Sequence, residues 1–495
     1  MDIPTQSQVK ILIHCPQCRG DIEFLEEAHA VRCEFCGSSL LVGGREGVLR
    51  YVLSPQIPEA EKAQTRAIEY MLSQGKRSPR AGDAFLFYAP FWRMQGIIYR
   101  WVFYLKPLKV EIEAGVPPPM ERMKDLLYRL MDHTIAGYAN LEMGLPSLGV
   151  RPQAVRLEPF SKAHMELRDS FLPLEVPLEK AQAEAQHFAD VFFQADKLIP
   201  EAVLQRNVGV KFSVIYFPLW YVECRHEGGR EVVLIDAVGQ SPVQTIPDGS
   251  TILAKLKGDG TRKSFQFNEL LFLPFRCPNC GWEFPFQPLS ALHFCPTCRR
   301  LFREKGGAWV EIGYGVIPAP EKCAGEKLLW FPFWRCKTAL ESSGERLENM
   351  AALYRFAPPP RVVDNDREAR RPIYFYIPAV KFRNPQIIHN LGSRLTFLQP
   401  EFKVGSFADG SHPLTAGGSL PDKDAREMGE VILGSMIPQG SRKARSWIKN
   451  CRVELQDSEI LYFPFSRADL FWKEMNTGIS FQHNALSEDL PNLSQ

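Results

Sequence analysis

An α+β protein built from two similar halves, each joining a small four-cysteine ribbon to a module of helices and antiparallel strands, is the architecture this sequence predicts. Three observations lead there. First, eight of the twelve cysteines form two copies of one pattern, CxxC-x14-CxxC, at Cys15, Cys18, Cys33 and Cys36 and again at Cys277, Cys280, Cys295 and Cys298. Second, an aromatic-Pro-aromatic signature recurs around Pro90, Pro218, Pro332 and Pro464, with a weaker copy around Pro378. Third, helix-period apolar runs alternate with β-branched and aromatic runs, which favours helices beside antiparallel pairs over a doubly wound parallel sheet.

The repeats keep one order. The ribbons lie 262 residues apart, Pro90 and Pro332 lie 242 apart, Pro159 and Pro400 241, Pro177 and Pro421 244, and Pro218 and Pro464 246. Ordered landmarks at nearly constant offset are the mark of a tandem duplication. The larger ribbon offset places an extra segment in the first half. There the run from Pro58 to Ser73 has Ala60, Ala63, Ala67 and Met71 on one helical face. The second half begins alike at Ile317-Pro318 and then passes straight to Leu328, so one helix has been lost or gained.

The remaining elements follow by period and turn chemistry. A hairpin is expected over Phe85–Leu105, turning near Gln95-Gly96, and a helix over Pro119–Asp132 with Met123, Leu126, Leu127 and Leu130 inward. Pro177 suits a first helical turn, followed by Ala181, Ala185, Phe188 and Phe192 at helical spacing. Val214–Glu223 reads as a strand, Glu227-Gly228-Gly229 as a turn and Glu231–Val238 as the return. The expected domains are ribbon 1 over 1–48, module 1 over 49–250, ribbon 2 over 265–310 and module 2 over 311–495.

Proline cannot donate to a sheet ladder, so the signature strands should lie at an edge or bend at the proline. Trp92, Trp220 and Trp334, two residues past their prolines, share the proline's strand face. Burial of such aromatics is the expected use, since each contributes about 1.5–3 kcal/mol when covered. A partner-binding groove and a membrane-interface belt are the competing uses.

Four thiolates at the CxxC-x14-CxxC spacing can close a tetrahedral metal site, with zinc the usual occupant. Gly37, Gly281 and Gly20 let three of the turns curl, and Arg299-Arg300 follows the fourth. This pattern resembles the zinc-ribbon superfamily over about 30 to 35 residues in each half. The resemblance implies two structural zinc ions, one held by Cys15, Cys18, Cys33 and Cys36 and one by Cys277, Cys280, Cys295 and Cys298. Rubredoxin-type iron is the runner-up occupant. His14 and His293 flank the ligands without being needed as ligands. The whole-chain layout is similar to bacterial tandem zinc-ribbon proteins of uncharacterised function, some labelled primosomal-helicase-like. The GxxxxGK[ST] phosphate loop of such an activity is missing, and the nearest string, Gly258–Ser264, has the wrong spacing.

No HExxH, GxSxG or GxGxxG motif is present, so no catalytic residue is singled out. Apolar content of 45% and charged content of 23% are ordinary for a globular chain, and a net charge of +2 gives no global field for nucleic acid. Basic clusters at Lys76–Arg80, Arg370-Arg371 and Arg442–Arg445 read as solvated surface. No stretch is long and apolar enough to span a membrane, and no secretory leader is evident, which points to a reducing cytoplasm and metal-bound cysteines. Cys224, Cys323, Cys336 and Cys451 are expected as buried, inert thiols. The expected function is a non-enzymatic zinc-binding scaffold or adaptor with protein partners. The alternative is a nucleic-acid-binding protein of replication or transcription, using Arg19, Arg32, Arg276, Arg299, Arg300 and Arg303 beside the ribbons. A third reading is peripheral membrane attachment through exposed Trp and Phe.

Overall fold

The computed structural model describes residues 9–486 apart from 109–117, 150–155, 168–169, 193–199, 258–264, 324–325, 343, 360–361, 363 and 409–412; Gly258–Ser264 and the side chains of Phe192, Lys443 and Ala444 lie outside the described residues. It is a mixed sheet-and-helix protein carrying two four-cysteine clusters.

The first half opens with β1 (Lys10–His14), β2 (Asp21–Leu25), β3 (Ala30–Arg32) and β4 (Ser39–Gly43). Strand β5 (Leu49–Leu53) leads to helix α1 (Ala60–Ser73) and two long strands, β6 (Arg80–Pro107) and β7 (Met120–Ala136). Then come β8 (Leu157–Pro159), α2 (Leu178–Phe192), β9 (Pro200–His226), β10 (Gly229–Asp236) and β11 (Ser241–Ile246). These strands form one sheet in the order β11-β10-β9-β5-β8-β1-β2, with β6 also on β9 and β7 on β6, while β3 and β4 stand apart from it.

The second half opens with β12 (Leu271–Pro274), β13 (Leu292–Phe294), β14 (Leu301–Lys305), β15 (Ala308–Ile312) and β16 (Tyr314–Val316). It continues through β17 (Leu328–Ser342), β18 (Glu345–Leu347), β19 (Ile373–Pro378), helix α3 (Gln386–Leu398), β20 (Leu414–Thr415) and helix α4 (Asp422–Met436). Strands β21 (Arg452–Ala468), β22 (Phe471–Glu474) and β23 (Ser480–Gln482) close it. Its main sheet runs β18-β17-β21-β22-β23, with β16 on β21 and both β19 and β20 on β17.

The four proline signatures sit at equivalent places in these sheets. Pro90 on β6 stands opposite Tyr216 on β9, and Pro218 stands opposite Tyr88. Pro332 on β17 stands opposite Tyr462 on β21, and Pro464 opposite Trp330. Each proline carbonyl accepts a hydrogen bond from the residue just past the end of a neighbouring strand: Gly137, Ala237, Ala379 and Met475 for Pro90, Pro218, Pro332 and Pro464. A residue's N and C=O point to one side of a strand, so each missing N–H faces a place where the ladder has already ended. No ladder bond is lost, although the strands themselves are not edge strands: each is paired on both sides elsewhere along its length, and only the ladder beside the proline has ended.

The tryptophans two residues on are core. Trp92, Trp220 and Trp334 are 0%, 5% and 4% exposed. Their indole N–H groups donate to the carbonyls of Val176, Ile57 and Leu420 at 2.8, 2.8 and 2.9 Å. Each acceptor precedes a proline, Pro177, Pro58 or Pro421, that leads into α2, α1 or α4. A buried indole needs a hydrogen-bond partner, and here that need ties a sheet to the start of a helix. The fourth position holds Ser466, and among the described residues the corresponding Ile317-Pro318 leads into no helix beyond a single short turn at Glu321–Cys323. Tryptophan and helix are absent together.

Helix α1 buries Ala63, Ala67 and Met71 against Trp220, Val222, Val233 and Ile235, as its periodicity predicts. In α2, Ala181 and Ala185 are buried, and Phe188 stacks on His133 of β7 at 4.3 Å. Strands β9 and β10 meet at a turn containing Gly229, as expected.

Two sequence expectations fail. There is no hairpin at Gln95-Gly96: β6 runs unbroken from Arg80 to Pro107, and its register with β9 shifts at that point. Gly96 serves a bulge, since a Cβ there would sit 3.2 Å from the Val208 carbonyl. Nor is 119–132 a helix. Met120–Ala136 is a strand paired to β6 from Ala136 opposite Phe91 to Met120 opposite Pro107. Leu126 packs into one core and Leu127 beside Met131 into another, so apolar residues that mimic a helical face are used on both faces of a sheet.

The far ends of β6, β7 and β9 form an arm that reaches the second half. Tyr99, Trp101, Phe103, Leu126 and Leu204 join the core that holds Met428, Val431 and Ile432 of α4. The Trp101 indole donates to the Val431 carbonyl at 2.8 Å. The Lys124 ammonium donates to the carbonyls of Ser435 and Ile437, both at 2.8 Å, at the end of α4. Gly434 is obligatory, because a Cβ there would collide with the Trp101 ring. Arg206–Glu430 and Arg445–Glu201 ion pairs flank the contact. Among the described residues no helix is long and apolar enough to cross a membrane.

Candidate metal centres

The eight predicted ligands come together as two groups of four. In each group the sulfur atoms all lie within 4.8 Å of one another. Cys15 to Cys36 spans 3.9 Å and Cys18 to Cys33 3.6 Å in the first group, and Cys277 to Cys298 and Cys280 to Cys295 span 3.5 Å in the second. A tetrahedron with metal–sulfur bonds of about 2.3 Å needs sulfurs about 3.8 Å apart. Thiols packed this closely fit a metal ion, and each cluster can hold one.

All four CxxC turns are built alike. The N–H of the residue four past the leading cysteine bonds back to that cysteine's carbonyl: Arg19 to Cys15, Gly37 to Cys33, Gly281 to Cys277 and Arg299 to Cys295. The cysteine N–H in turn bonds to the carbonyl one residue further on, at Gly20, Ser38, Trp282 and Arg300. The fourth-past residue is left-handed in every case, with φ of 62°, 73°, 79° and 57°. Glycine therefore serves two turns and arginine the other two, one per ribbon. In the first turn the left-handed residue is Arg19 rather than the Gly20 that composition suggested. Gly20 is needed for space, since a Cβ there would fall 2.5 Å from the Phe35 ring. A left-handed arginine carries roughly 1 kcal/mol of backbone strain. Replacing exposed Arg19 with glycine is expected to raise stability by about 0.5–1 kcal/mol in urea denaturation.

Hydrogen-bond donors lie beside two sulfurs of the first cluster. The Gly20 N–H points at Cys18 Sγ at 3.4 Å, and the Ser38 hydroxyl lies 2.9 Å from Cys36 Sγ. That hydroxyl and the Ser38 N–H hold the Cys36 thiol down at about 6. His14 is exposed and paired with Asp21 at 2.8 Å. His293 is buried among the rings of Phe275, Phe284 and Trp309. Neither histidine belongs to a cluster. Cys224, Cys323, Cys336 and Cys451 are buried singly.

Sequence spacing says nothing of where the two clusters sit relative to each other, and here lies the main addition. Strand β12 of the second half pairs with β4 of the first, in the order β12-β4-β3. The N–H groups of His29 and Ala30 donate to the Pro288 carbonyl. Ala30 and Leu41 share one apolar cluster with Phe275, Phe284, Phe302, Cys277 and Cys295. On its other side the first ribbon places Cys15 and Cys33 in one apolar core with Phe87 and Phe91 of its own half. The second ribbon places Phe294 against Tyr314, Phe407 and Tyr462 of its half. The ribbons are thus joined to each other and each to its own sheet.

Three of the six ribbon arginines are engaged within the chain, while Arg19 and Arg276 are exposed. Arg32 lies over the Phe286 ring and 3.9 Å from Glu283, Arg300 pairs with Glu311 at 3.0 Å, and Arg299 donates to the Ala408 carbonyl. Two large aromatics beside the CxxC turns are open to solvent: Phe35 is 71% exposed and Trp282 66%. Comparison of the chain with protein-family models, with curated proteins and with solved structures gives no match.

Proposed function

We propose that this chain is a zinc-binding, non-enzymatic scaffold in which two structural zinc ions staple a tandem-duplicated pair of α+β modules. The observation that carries this reading is the shared face of the ribbons, where Ala30 and Leu41 of the first ribbon join one apolar core with Cys277 and Cys295 of the second, while Cys15 and Cys33 lie in the core of the first half. Cys15, Cys18, Cys33 and Cys36 would hold one ion and Cys277, Cys280, Cys295 and Cys298 the other. With four thiolates in each set no position is left open for substrate, which suits cross-linking rather than chemistry. Zinc is preferred to iron because it needs no redox function, and the thiolates suit a reducing cytoplasm.

The duplication is supported by the matching register of β6 on β9 and β17 on β21, and by the tryptophan latches at Val176 and Leu420, 244 residues apart. Parallel pairing agrees too, with Val52 opposite Tyr216 and Val316 opposite Tyr462. The division into ribbons at 1–48 and 265–310 and modules at 49–250 and 311–495 follows from it.

Phe35 and Trp282 give the scaffold its contact surface for a protein partner, since solvent-exposed large aromatics concentrate at such surfaces. The test is affinity capture of the tagged chain from native lysate, with and without nuclease, beside a Phe35→Ala/Trp282→Ala double variant. Partners that survive nuclease and are lost with the double variant are expected. Partners lost on nuclease treatment would favour the nucleic-acid reading, which the engagement of Arg32, Arg299 and Arg300 supports less well.

A further inference from the structure

We infer that the cleft between the two halves is a binding site for a small zwitterion with an apolar body, of the α-amino-acid type. The cleft, with a cavity volume of ≈ 120 Å³, is partly enclosed by the ribbon-1 loop, the β6–β7–β9 arm and the start of α4. This inference does not rest on the metal sites.

Three cations and four anions line it, Arg45, Lys211 and Lys381 against Glu26, Glu27, Asp132 and Asp424, and Arg93 behind the wall adds a fourth cation through its pairs with Glu26 and Asp132. Most are already matched. Fully buried Arg93 holds Asp132 and Glu26 at 2.7 Å, and Lys381 pairs with Glu27 at 3.1 Å. Arg45 lies close to Glu26 and donates to the backbone carbonyls of Glu26, Ala28 and Val42. One cation and one anion are left over. Lys211 and Asp424 both line the cavity, and among the described residues neither has a hydrogen-bond or ion-pair partner, not even each other. Lys211 is enclosed by protein yet turns much of its side-chain surface into the empty space, and burial with nearby Lys381 pulls its pKa down. Asp424 is 9% exposed and lies beside Gly209, where a Cβ would come within 3.0 Å of its carboxylate.

Two further groups in the wall lack partners. Tyr51 Oη and Ser213 Oγ are buried hydroxyls with no hydrogen bond among the described residues. Buried polar groups left unpaired destabilise the fold, and a polar ligand group reaching these two through a small side-chain shift would relieve that. Because Arg93 brings the charges in and just behind the wall into balance, a ligand bearing one charge of each sign keeps them balanced: its carboxylate belongs at Lys211 and its ammonium at Asp424. Ile97, Phe382 and Met428 supply the apolar wall for its body.

Isothermal titration of the intact chain tests this with L-leucine and L-phenylalanine as probes. Controls are 4-methylpentanoate, which lacks the ammonium, and 3-methylbutylamine, which lacks the carboxylate. At least one amino acid is expected to bind, with each control weaker by about tenfold or more. Lys211→Met and Asp424→Asn should each weaken the amino acid by a similar factor, and Tyr51→Phe should weaken it less. Thermal unfolding of each variant shows which remain folded, and the near-isosteric Asp424→Asn serves if Lys211→Met does not. Absence of binding by both amino acids, equal binding of a control, or undiminished binding by folded variants would overturn the inference.

Discussion

Replacing Cys295 with serine is expected to remove one metal ion per chain and to lower stability by several kcal/mol, on the order of 3–5. Cys295 is fully buried and sits in the apolar cluster shared by the two ribbons. A serine hydroxyl does not ionise at neutral pH, so three thiolates remain where four closed the site. Without the ion, those thiols and the turns around them lose the bond that holds the second ribbon's strands together. The damage should spread, because β12 pairs with β4 of the first ribbon and Phe275, two residues before Cys277, packs against Leu41 and Ala30. Urea denaturation with metal analysis checks this. The contrasting substitution is Cys336→Ser, at a thiol that burial pushes up to about 12 and that lies in neither cluster. It should cost about 1–3 kcal/mol as a buried hydroxyl while leaving the metal content at its wild-type value. If both variants keep the same metal count, the clusters are not the ligands.

Trp334→Ala is expected to destabilise the second half by about 3–5 kcal/mol, and Trp334→Phe by about 1–2. The alanine change leaves a large cavity and orphans the Leu420 carbonyl, which loses its 2.9 Å bond to the indole. The phenylalanine change fills most of the space and loses chiefly that bond. Because Leu420 directly precedes the proline before α4, and α4 carries the contacts of the β6–β7–β9 arm, loosening should be felt between the halves as well. Hydrogen exchange read by mass spectrometry should show α4 and the facing part of β6 losing protection together. Loss of protection confined to β17 would contradict the latch.

Much of this protein was legible in its sequence where a pattern has one cheap physical meaning. Eight cysteines in two CxxC-x14-CxxC sets led directly to two clusters. The alanine face of α1 was legible because small residues at helical spacing have few other uses. The proline signatures were read as edge or bent strands, whereas they lie inside strands paired on both sides, at points where a neighbouring ladder ends, which only coordinates could show. The failures share one cause, which is long-range pairing. Met120–Ala136 carries apolar residues that suit a helix, and only the length of β6 beside it makes a strand the better solution. Gly96 read as a turn because a bulge and a turn both call for glycine. The left-handed Arg19 was hidden by the neighbouring Gly20. The cleft was not legible at all, since Lys211, Asp424, Tyr51 and Ser213 are far apart in the chain and belong to no motif. The pairing of Ser466 with a missing helix was visible as two separate irregularities and acquires a single reason once the other three tryptophans are seen holding helix starts.

The central claim is that two zinc ions, each held by four cysteine sulfurs, fasten the two halves. X-ray absorption at the zinc edge, on protein whose metal content has been counted, tests it most directly. The account predicts two zinc ions per chain with a shell of four sulfurs at about 2.3 Å and no nitrogen or oxygen neighbour. Fewer than two ions, iron in their place, or a shell that includes nitrogen or oxygen would contradict it.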